Sequence, residues 1–192
     1  MERVSVYIDG ENFYYGMKSV NPMYTDFKFD FKNYINYITK NRKLITIYYF
    51  VAPLKQHLNP EMYKKQQKMF SRLQKEGVTL ILCKRTKREQ EDGTESHKIK
   101  EDDIRLALQM QKDAYDNKFD IALLFSGDGD FIPLQEFIRE KGKRMELVYF
   151  ENSVSIGLLR SCSFKCYKID KKILNKFFLR EKAIKKIQRK TN

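Results

Sequence analysis

The sequence predicts an α/β fold, a three-layer α/β/α sandwich around a mostly parallel sheet of five to six strands. Short apolar segments rich in β-branched residues recur along the chain. Longer amphipathic segments separate them, and proline or glycine stands at the ends of several of these. Strands that alternate with helices in this way are typical of a parallel sheet with helices on both faces.

The first predicted strand is RVSVYID at residues 3–9, which is mostly apolar and is expected to be buried. Further strands are predicted at 43–52, 77–83, 120–126 and 144–150, with a weaker sixth at 164–169. Helical patterns occupy residues 29–41, 60–77, 101–117 and 130–142. The segment 60–77 has proline near its start and glycine at its end, which is the usual punctuation of a helix.

Two segments do not fit this alternation. Residues 84–100 are highly charged around an Asp-Gly pair, which indicates an exposed loop or hairpin arm. The chain from Lys171 onwards is basic with apolar residues at helical spacing, so its first half is expected to pack on the domain and residues 180–192 to fray. The predicted division is therefore a domain at 1–169 and a basic C-terminal helical extension at 170–192.

Composition favours a polyanionic partner. Among 192 residues, 38 are Lys or Arg and 25 are Asp or Glu, which gives a net charge of +13. Nucleic acid is the commonest partner of such a chain, although a generally lysine-rich composition would give the same balance. The sequence has neither a signal-peptide pattern nor an apolar run of about 20 residues. Its three cysteines form no CxxC pair, so we expect buried free thiols, no zinc site and a cytoplasmic location.

Acidic residues follow two of the predicted strands. Asp9 ends the first strand, and Asp128 and Asp130 follow the fourth in the stretch LLFSGDGDF. If these strands are neighbours, their carboxyl ends bring the three carboxylates to one edge of the sheet. Crowded carboxylates repel one another, and a hard divalent cation such as Mg²⁺ relieves that repulsion. The alternative is that these residues form turns, or that Asp130 caps the next helix.

Asp102 and Asp103 open the helix that leads into the fourth strand, where acids also complement the helix dipole. Successive helical residues point about 100° apart, so both cannot face the same pocket squarely. Asp103 shares a face with Ala107, Met110 and Ala114. Asp102 shares a more polar face with Leu106, Gln109 and Asp113. We therefore expect Asp103 to face the sheet edge and Asp102 to lean towards solvent.

The stretches VYIDGENFYYG and KEDDIRLALQMQKDAYDNKFDIALLFSGDGDFIPLQEFIREKGKRMELVYF occur in this order in the chain. Together they resemble the NYN domain family, in its LabA-like branch of the PIN-like nuclease superfamily. The likeness covers about residues 3–150, with weaker similarity to about 169. It implies a Rossmann-like, PIN-like fold, a pocket for Mg²⁺ or Mn²⁺, and action on RNA.

The resemblance also implies roles for particular residues. Asp9, Asp103, Asp128 and Asp130 would be the catalytic acids and the metal ligands. Asn12 would join the catalytic set, and Ser126 would line the pocket on the substrate side. KEDD matches the family's Lys-Gly-x-Asp pattern at Lys100 and Asp103, with Glu101 in place of glycine, and Lys100 would steady a phosphate. Gln109 stands where the family often carries a second acid.

Positive surface for RNA is expected from three basic runs, at 63–75, at 84–88 with Lys84 and Arg85, and at the C-terminus. Tyr14 and Tyr15 are suited to stacking on bases, but we expect them to lie in a helix core. Two function classes remain open. One is a metal-dependent ribonuclease acting on RNA, with single-stranded RNA as one form of substrate, and the other is a catalytically weak RNA-binding or regulatory module. Neither involves a membrane, and a homodimer is compatible with both.

Overall fold

The computed structural model describes residues 1–84, 86–89, 95–98 and 101–179 of the chain. The strands are β1 (Arg3–Asp9), β2 (Lys43–Val51), β3 (Thr79–Leu82), β4 (Thr86–Glu89), β5 (Glu95–Lys98), β6 (Ile121–Phe125), β7 (Arg144–Tyr149) and β8 (Cys166–Lys168). The helices are α1 (Gly10–Val20), α2 (Phe31–Ile38), α3 (Pro60–Lys75), α4 (Glu101–Tyr115), α5 (Ile132–Glu140), α6 (Ile156–Ser161) and α7 (Lys171–Phe177). Single 3₁₀ turns lie at Asp26–Lys28, Gly129–Phe131 and Glu151–Ser153.

Six strands form one sheet in the order β3-β2-β1-β6-β7-β8, and every neighbouring pair is parallel. This confirms the predicted α/β fold and the predicted sixth strand. Within the sheet β1 pairs with β6, from Val4 opposite Ile121 to Ile8 opposite Phe125. The first strand and the one before LLFSGDGDF are therefore neighbours, as expected, and both end at the same edge.

Side chains that alternate along the strands pack into two cores. From β1, Val6 and Ile8 join one core, whereas Tyr7 between them joins the other. Helices α1, α2, α3 and α7 contribute residues to the first core, and α4, α5 and α6 contribute to the second. Burying one Leu or Phe side chain contributes about 1.5–3 kcal/mol. The helices thus form layers on both faces of the sheet and leave its carboxyl edge for the loops.

Helix α1 begins directly at the end of β1 and is not among the helical segments predicted above, although Tyr14 and Tyr15 were expected in a helix core. The Asp9 side chain caps α1, since its Oδ1 accepts a hydrogen bond of 2.9 Å from the Asn12 amide. Gly10 lies against β2, where an added Cβ would come within 2.6 Å of the Phe50 carbonyl oxygen. Only glycine therefore allows the chain to turn from strand to helix at this point.

The two segments outside the alternation are partly described. β4 and β5 pair antiparallel, which confirms a hairpin arm within 84–100. The first half of the C-terminal segment packs on the domain as expected, because Leu174 and Phe177 are buried and the Leu179 amide donates 2.7 Å to the Lys28 carbonyl. Residues 180–192 lie outside the described ranges.

Two further expectations concern the cysteines and membranes. Cys83 is buried, but Cys162 is half-buried and Cys166 is exposed, so the expectation of buried thiols is wrong for Cys166. Cys166 is exposed because it begins β8, the edge strand of the sheet. Across the described ranges, none of the helices has both the length and the apolar character of a membrane span.

Candidate active site

The end of β1 places Asp9 inside the protein with its carboxylate towards β6. Asp9 is 4% exposed, and its Oδ2 accepts a hydrogen bond of 2.9 Å from the Ser126 hydroxyl. Burial first, and then the charges of Asp103 and Asp102, raise the pKa of Asp9 to about 7, although the hydrogen bonds from Asn12 and Ser126 lower it. A carboxylate in this position is costly to ionise without a nearby positive charge.

The loop after β6 is fixed by hydrogen bonds to α1 and to its own serine. The Gly127 amide donates 3.0 Å to Asn12 Oδ1, and the Asp128 amide donates 3.1 Å to Ser126 Oγ. Gly127 also lies so close to the next loop that an added Cβ would stand 2.1 Å from the Ser153 carbonyl oxygen. The loop therefore has a defined shape that orients the aspartates that follow it.

Asp128 and Asp130 have different structural roles in this loop. Asp128 caps the 3₁₀ turn at Gly129–Phe131, because its Oδ1 accepts a hydrogen bond of 2.9 Å from the Asp130 amide. Asp130 is exposed, and α5 has no side-chain cap at its start, so the alternative that Asp130 caps the next helix is wrong. Asp130 lies within the 3₁₀ turn that precedes α5, and Asp128 caps that turn.

The predicted orientation of α4 is wrong. Asp102 is only 3% exposed and shares the buried face of α4 with Leu106, Met110, Asp113 and Ala114, while Asp103 is half-buried. Polarity misled the prediction, because Asp113 on the supposed solvent face is fully buried. Asp113 accepts hydrogen bonds from the hydroxyl of Tyr7 at 2.8 Å, from Gln109 Nε2 at 2.9 Å and from Lys118 Nζ at 2.8 Å.

Asp102 and Asp103 both lie near Asp9, since the charge of each raises the pKa of the Asp9 carboxyl. The pKa of Asp103 is raised to about 7, first by burial and then by the nearby negative charges, which are those of Asp102, Asp128, Asp130 and Glu11. Together with Asp9, these residues form what we call the acidic cluster: Asp9, Glu11, Asp102, Asp103, Asp128 and Asp130. The structure thus brings the four predicted acids together and adds Glu11 and Asp102. The sequence signals for the two additions were the proximity of Glu11 to Asp9 and the four-residue spacing from Asp102 to Leu106.

The acidic cluster has the donor chemistry of a divalent-cation site, since carboxylate oxygens are the ligands that Mg²⁺ and Mn²⁺ take. The raised pKa values of Asp9 and Asp103 reflect burial and mutual repulsion, which a bound cation relieves. Within the described ranges, no three His, Cys, Asp or Glu side chains are already gathered closely enough to hold an ion. Binding would therefore require adjustment of the carboxylates.

The predicted substrate-binding residues are only partly described. Ser126 is 1% exposed, and its hydroxyl is engaged by Asp9 and Asp128, which favours a positioning role over contact with substrate. Lys84 is exposed, and its amide donates 2.8 Å to Oε2 of Glu101 at the start of α4. The charge of Lys84 also lowers the pKa of Glu101, so the Lys84 side chain lies near the start of α4. Arg85 and Lys100 lie outside the described residues.

Helix α3 provides part of the expected positive surface. Lys64, Lys65 and Lys68 are exposed on it. Arg72 is instead turned inwards, where it donates to the carbonyl oxygens of Phe27 and Phe29 at 3.3 and 3.1 Å. The basic run at 63–75 is thus a mixture of surface lysines and one structural arginine.

Two comparisons with known proteins show a likeness, and a third shows none. Residues 3–170 match the model of a protein family described as the NYN domain. A solved structure of a protein of unknown function from Vibrio parahaemolyticus is 21% identical and has a TM-score of 0.68, over 93% of this chain and 96% of that one. At this identity the likeness shows a shared fold alone. No curated protein compared with the chain matches it.

Proposed function

The chain belongs to the NYN domain family, whose members are typically nucleases, and from this premise we propose that it is a metal-dependent ribonuclease that hydrolyses RNA phosphodiester bonds. The observation that carries the proposal is the acidic cluster. It gathers six carboxylates from β1, α1, α4 and the loop after β6, and burial with mutual repulsion raises the pKa of two of them to about 7. Carboxylates so close together repel one another, and a bound cation is the natural compensation for that repulsion.

The proposed roles follow from position and burial. Asp9 and Asp128 are the principal ligands of Mg²⁺ or Mn²⁺, because they end neighbouring strands and share Ser126. Asp103 and Asp130 hold further ligand positions or orient the attacking water. A bound divalent cation would supply stabilisation of the negative charge that develops on the phosphate during hydrolysis.

Neutral and basic groups complete the proposed site. Asn12 offers its amide nitrogen to a phosphate oxygen, since its Oδ1 is occupied by the Gly127 amide. Lys84 lies beside the start of α4 and would attract the RNA backbone, together with Arg85 and Lys100 from the sequence pattern. Ser126 positions Asp9 and Asp128.

A second candidate function is a catalytically weak RNA-binding or regulatory module. Two observations favour it. Gln109 stands where the family often carries an acid, and here it donates to the buried Asp113. The described acids also do not form a ready-made ligand cage. This alternative keeps RNA as the partner and differs in whether the phosphodiester bond is broken.

Cleavage of end-labelled single-stranded RNA separates the two candidates. We expect cleavage with Mn²⁺ or Mg²⁺, none in EDTA, and none with Asp128→Asn. A matched control is Asp116→Asn, because Asp116 is an exposed acid beyond the far end of α4 and pairs with Lys118 at 3.5 Å. RNA binding without cleavage under every metal condition would favour the second candidate. A metal-induced rise in melting temperature that Asp128→Asn abolishes would support the site independently of activity.

A further inference from the structure

Tyr15 lies on the outer surface of α1, although we expected it in a helix core. It is 60% exposed, whereas its neighbour Tyr14 is half-buried. The two rings meet edge to face, with centroids 5.3 Å apart and an interplanar angle of 78°. This contact holds the Tyr15 ring in place and leaves most of its surface open to solvent.

Tyr15 lies one helical turn from the acidic cluster. It stands four residues after Glu11, so the two side chains share one face of α1 and are about 5–6 Å apart along the axis. Glu11 in turn lies near enough to Asp103 to raise the pKa of that carboxyl. The open tyrosine is therefore within reach of a nucleotide that flanks the one in the acidic cluster.

Other exposed tyrosines have more extensive partners. Tyr115 packs against Phe137 with centroids 5.6 Å apart, and Lys141 Nζ lies 4.2 Å from its ring centre. Near Tyr15 the cation is Lys18, whose Nζ lies 5.6 Å from the ring centre of Tyr14. A solvent-facing aromatic ring with a lysine close by, next to a candidate phosphate site, is the combination that binds unpaired nucleotides.

We propose that Tyr15 stacks on the base of an unpaired nucleotide beside the cleavage position, and that this contact restricts the substrate to single strands. The inference rests on the proposed function for the identity of the site. Every base has a π face, so such a stack accepts any sequence. In a duplex each base is covered by its neighbours, and exposing one costs unstacking energy. Tyr14 positions the ring, and Lys18 adds positive charge for the backbone.

A binding experiment in EDTA tests this role without cleavage. The probes are a fluorescent oligouridine and an abasic oligomer of the same length. The carboxylates of the acidic cluster repel the phosphates of both probes alike, so the ratio of affinities isolates the contribution of the base. We expect the wild-type protein to prefer oligouridine by about tenfold, the order expected for one stacked base. Tyr15→Ala should remove the preference, and Tyr15→Phe should keep it.

Tyr115→Ala is the matched control, because Tyr115 is 66% exposed and contacts one aromatic ring, but lies at the far end of α4. It should leave the preference unchanged. The inference is overturned if Tyr15→Ala retains the wild-type ratio, if it weakens both probes equally, or if the wild-type protein does not distinguish them. A blunt-ended duplex should show no dependence on Tyr15, and an equal dependence would also overturn it.

Cleavage measured in parallel with Mn²⁺ separates this inference from the proposed function. A Tyr15-dependent preference for bases without any cleavage would support stacking by Tyr15 beside the acidic cluster and remove the ribonuclease proposal. Cleavage of single-stranded RNA by wild type and Tyr15→Ala with equal KM would support the ribonuclease and overturn the inference.

Discussion

The hydroxyl of Ser126 donates a hydrogen bond of 2.9 Å to Oδ2 of Asp9, across 117 residues of sequence. Ser126 Oγ in turn accepts a hydrogen bond of 3.1 Å from the amide of Asp128. One small side chain thus ties the ends of β1 and β6 together and orients two carboxylates. Because it donates to Asp9, it also lowers the pKa of that buried acid against the effect of burial.

Replacing Ser126 by alanine should therefore raise the pKa of Asp9 further and move the pH dependence of cleavage to higher pH. The free energy of unfolding should fall by about 1–3 kcal/mol, since a buried carboxylate loses a hydrogen-bond donor. Denaturant unfolding and a pH–rate profile measure the two effects. Ser161→Ala is the control, because the Ser161 hydroxyl also bonds internally, to the Leu158 carbonyl at 2.9 Å, but away from the acids. An unshifted profile for Ser126→Ala would contradict the positioning role.

Asp128→Asn should abolish metal-dependent cleavage and leave the metal-free protein as stable as before, or more so. Asparagine retains the oxygen that caps the 3₁₀ turn, and asparagine and aspartate cap comparably. The substitution also removes one of the charges that repel Asp103. Cleavage should fall by more than about a hundredfold, because even the outer partners of metal ligands are worth about 10–100-fold. A large drop in the melting temperature in EDTA with unchanged metal binding would instead show a purely structural cap.

The metal-free protein should become less stable as pH rises from about 4 to 8. The pKa of Asp9 is raised to about 7 and that of Asp26 to about 6, in each case first by burial. In this window the unfolded chain has lost these protons while the folded protein still holds them, so stability falls with pH. Melting temperatures in EDTA at pH 5 and pH 8 measure the difference, and Mn²⁺ should restore stability at pH 8.

Asp9→Asn should flatten the part of this pH dependence that arises from Asp9 and retain the part from Asp26. Asparagine can still accept the Asn12 amide at the start of α1. A wild-type melting temperature in EDTA that rises between pH 5 and pH 8 would contradict the raised pKa values of Asp9 and Asp26.

Asp103→Asn and Asp102→Asn should differ in a way that follows from the corrected orientation of α4. Asp103→Asn should reduce cleavage by about a hundredfold, the order for one positioned acid or base. Asp102→Asn should act through its neighbours, lowering the pKa of Asp103 and of Asp9 because both are raised by the Asp102 charge. Carboxyl-carbon NMR titrations measure this shift directly. Unchanged titrations of Asp103 and Asp9 in Asp102→Asn would contradict their electrostatic interaction with Asp102.

Deleting residues 180–192 tests the basic tail predicted from the sequence. This segment has six Lys or Arg residues and one Glu. If its side chains contact phosphates, the deletion should weaken RNA binding and flatten the salt dependence by about 0.7 in slope for each lost contact with a single strand. A slope equal to that of the full chain would show that the tail does not contact RNA. The salt dependence of RNA binding can also be measured after replacing the exposed lysine Lys64 on α3 by alanine, for comparison with the deletion.

The sheet could be predicted because its signals are local. Continuous apolar segments such as 3–9 and 120–126 mark strands buried on both faces, and the acids that follow them mark the carboxyl edge. The neighbouring positions of β1 and β6 confirmed that the acids share an edge. Helix α1 lay outside the predicted helices because GENFYYGMKSV contains two glycines and aromatic residues, and its start depends on the Asp9 cap and on contact with Phe50.

The orientation of α4 could not be predicted from polarity. Asp113 lies inside the protein because Tyr7, Gln109 and Lys118 donate hydrogen bonds to its carboxylate. Of these partners, Tyr7 lies 106 residues away in the sequence, so local patterns do not reveal it. Asp102 is likewise buried, and Tyr15 is exposed. Intrinsic preferences treat a buried aspartate and an exposed tyrosine as exceptions, and here both lie at the candidate site.

The central position of β1 also has a consequence for synthesis of the protein. β1 is the first strand of the sheet to be synthesised, and its partner on one side, β6, follows only after most of the domain. At about 5–20 residues per second, the 117 residues from Asp9 to Ser126 take about 6–23 s to translate. During that interval Asp9 has no Ser126 or Asp128 to meet. The nascent chain therefore cannot assemble the acidic cluster until the loop after β6 has been synthesised. The candidate site forms only late in the translation of the domain.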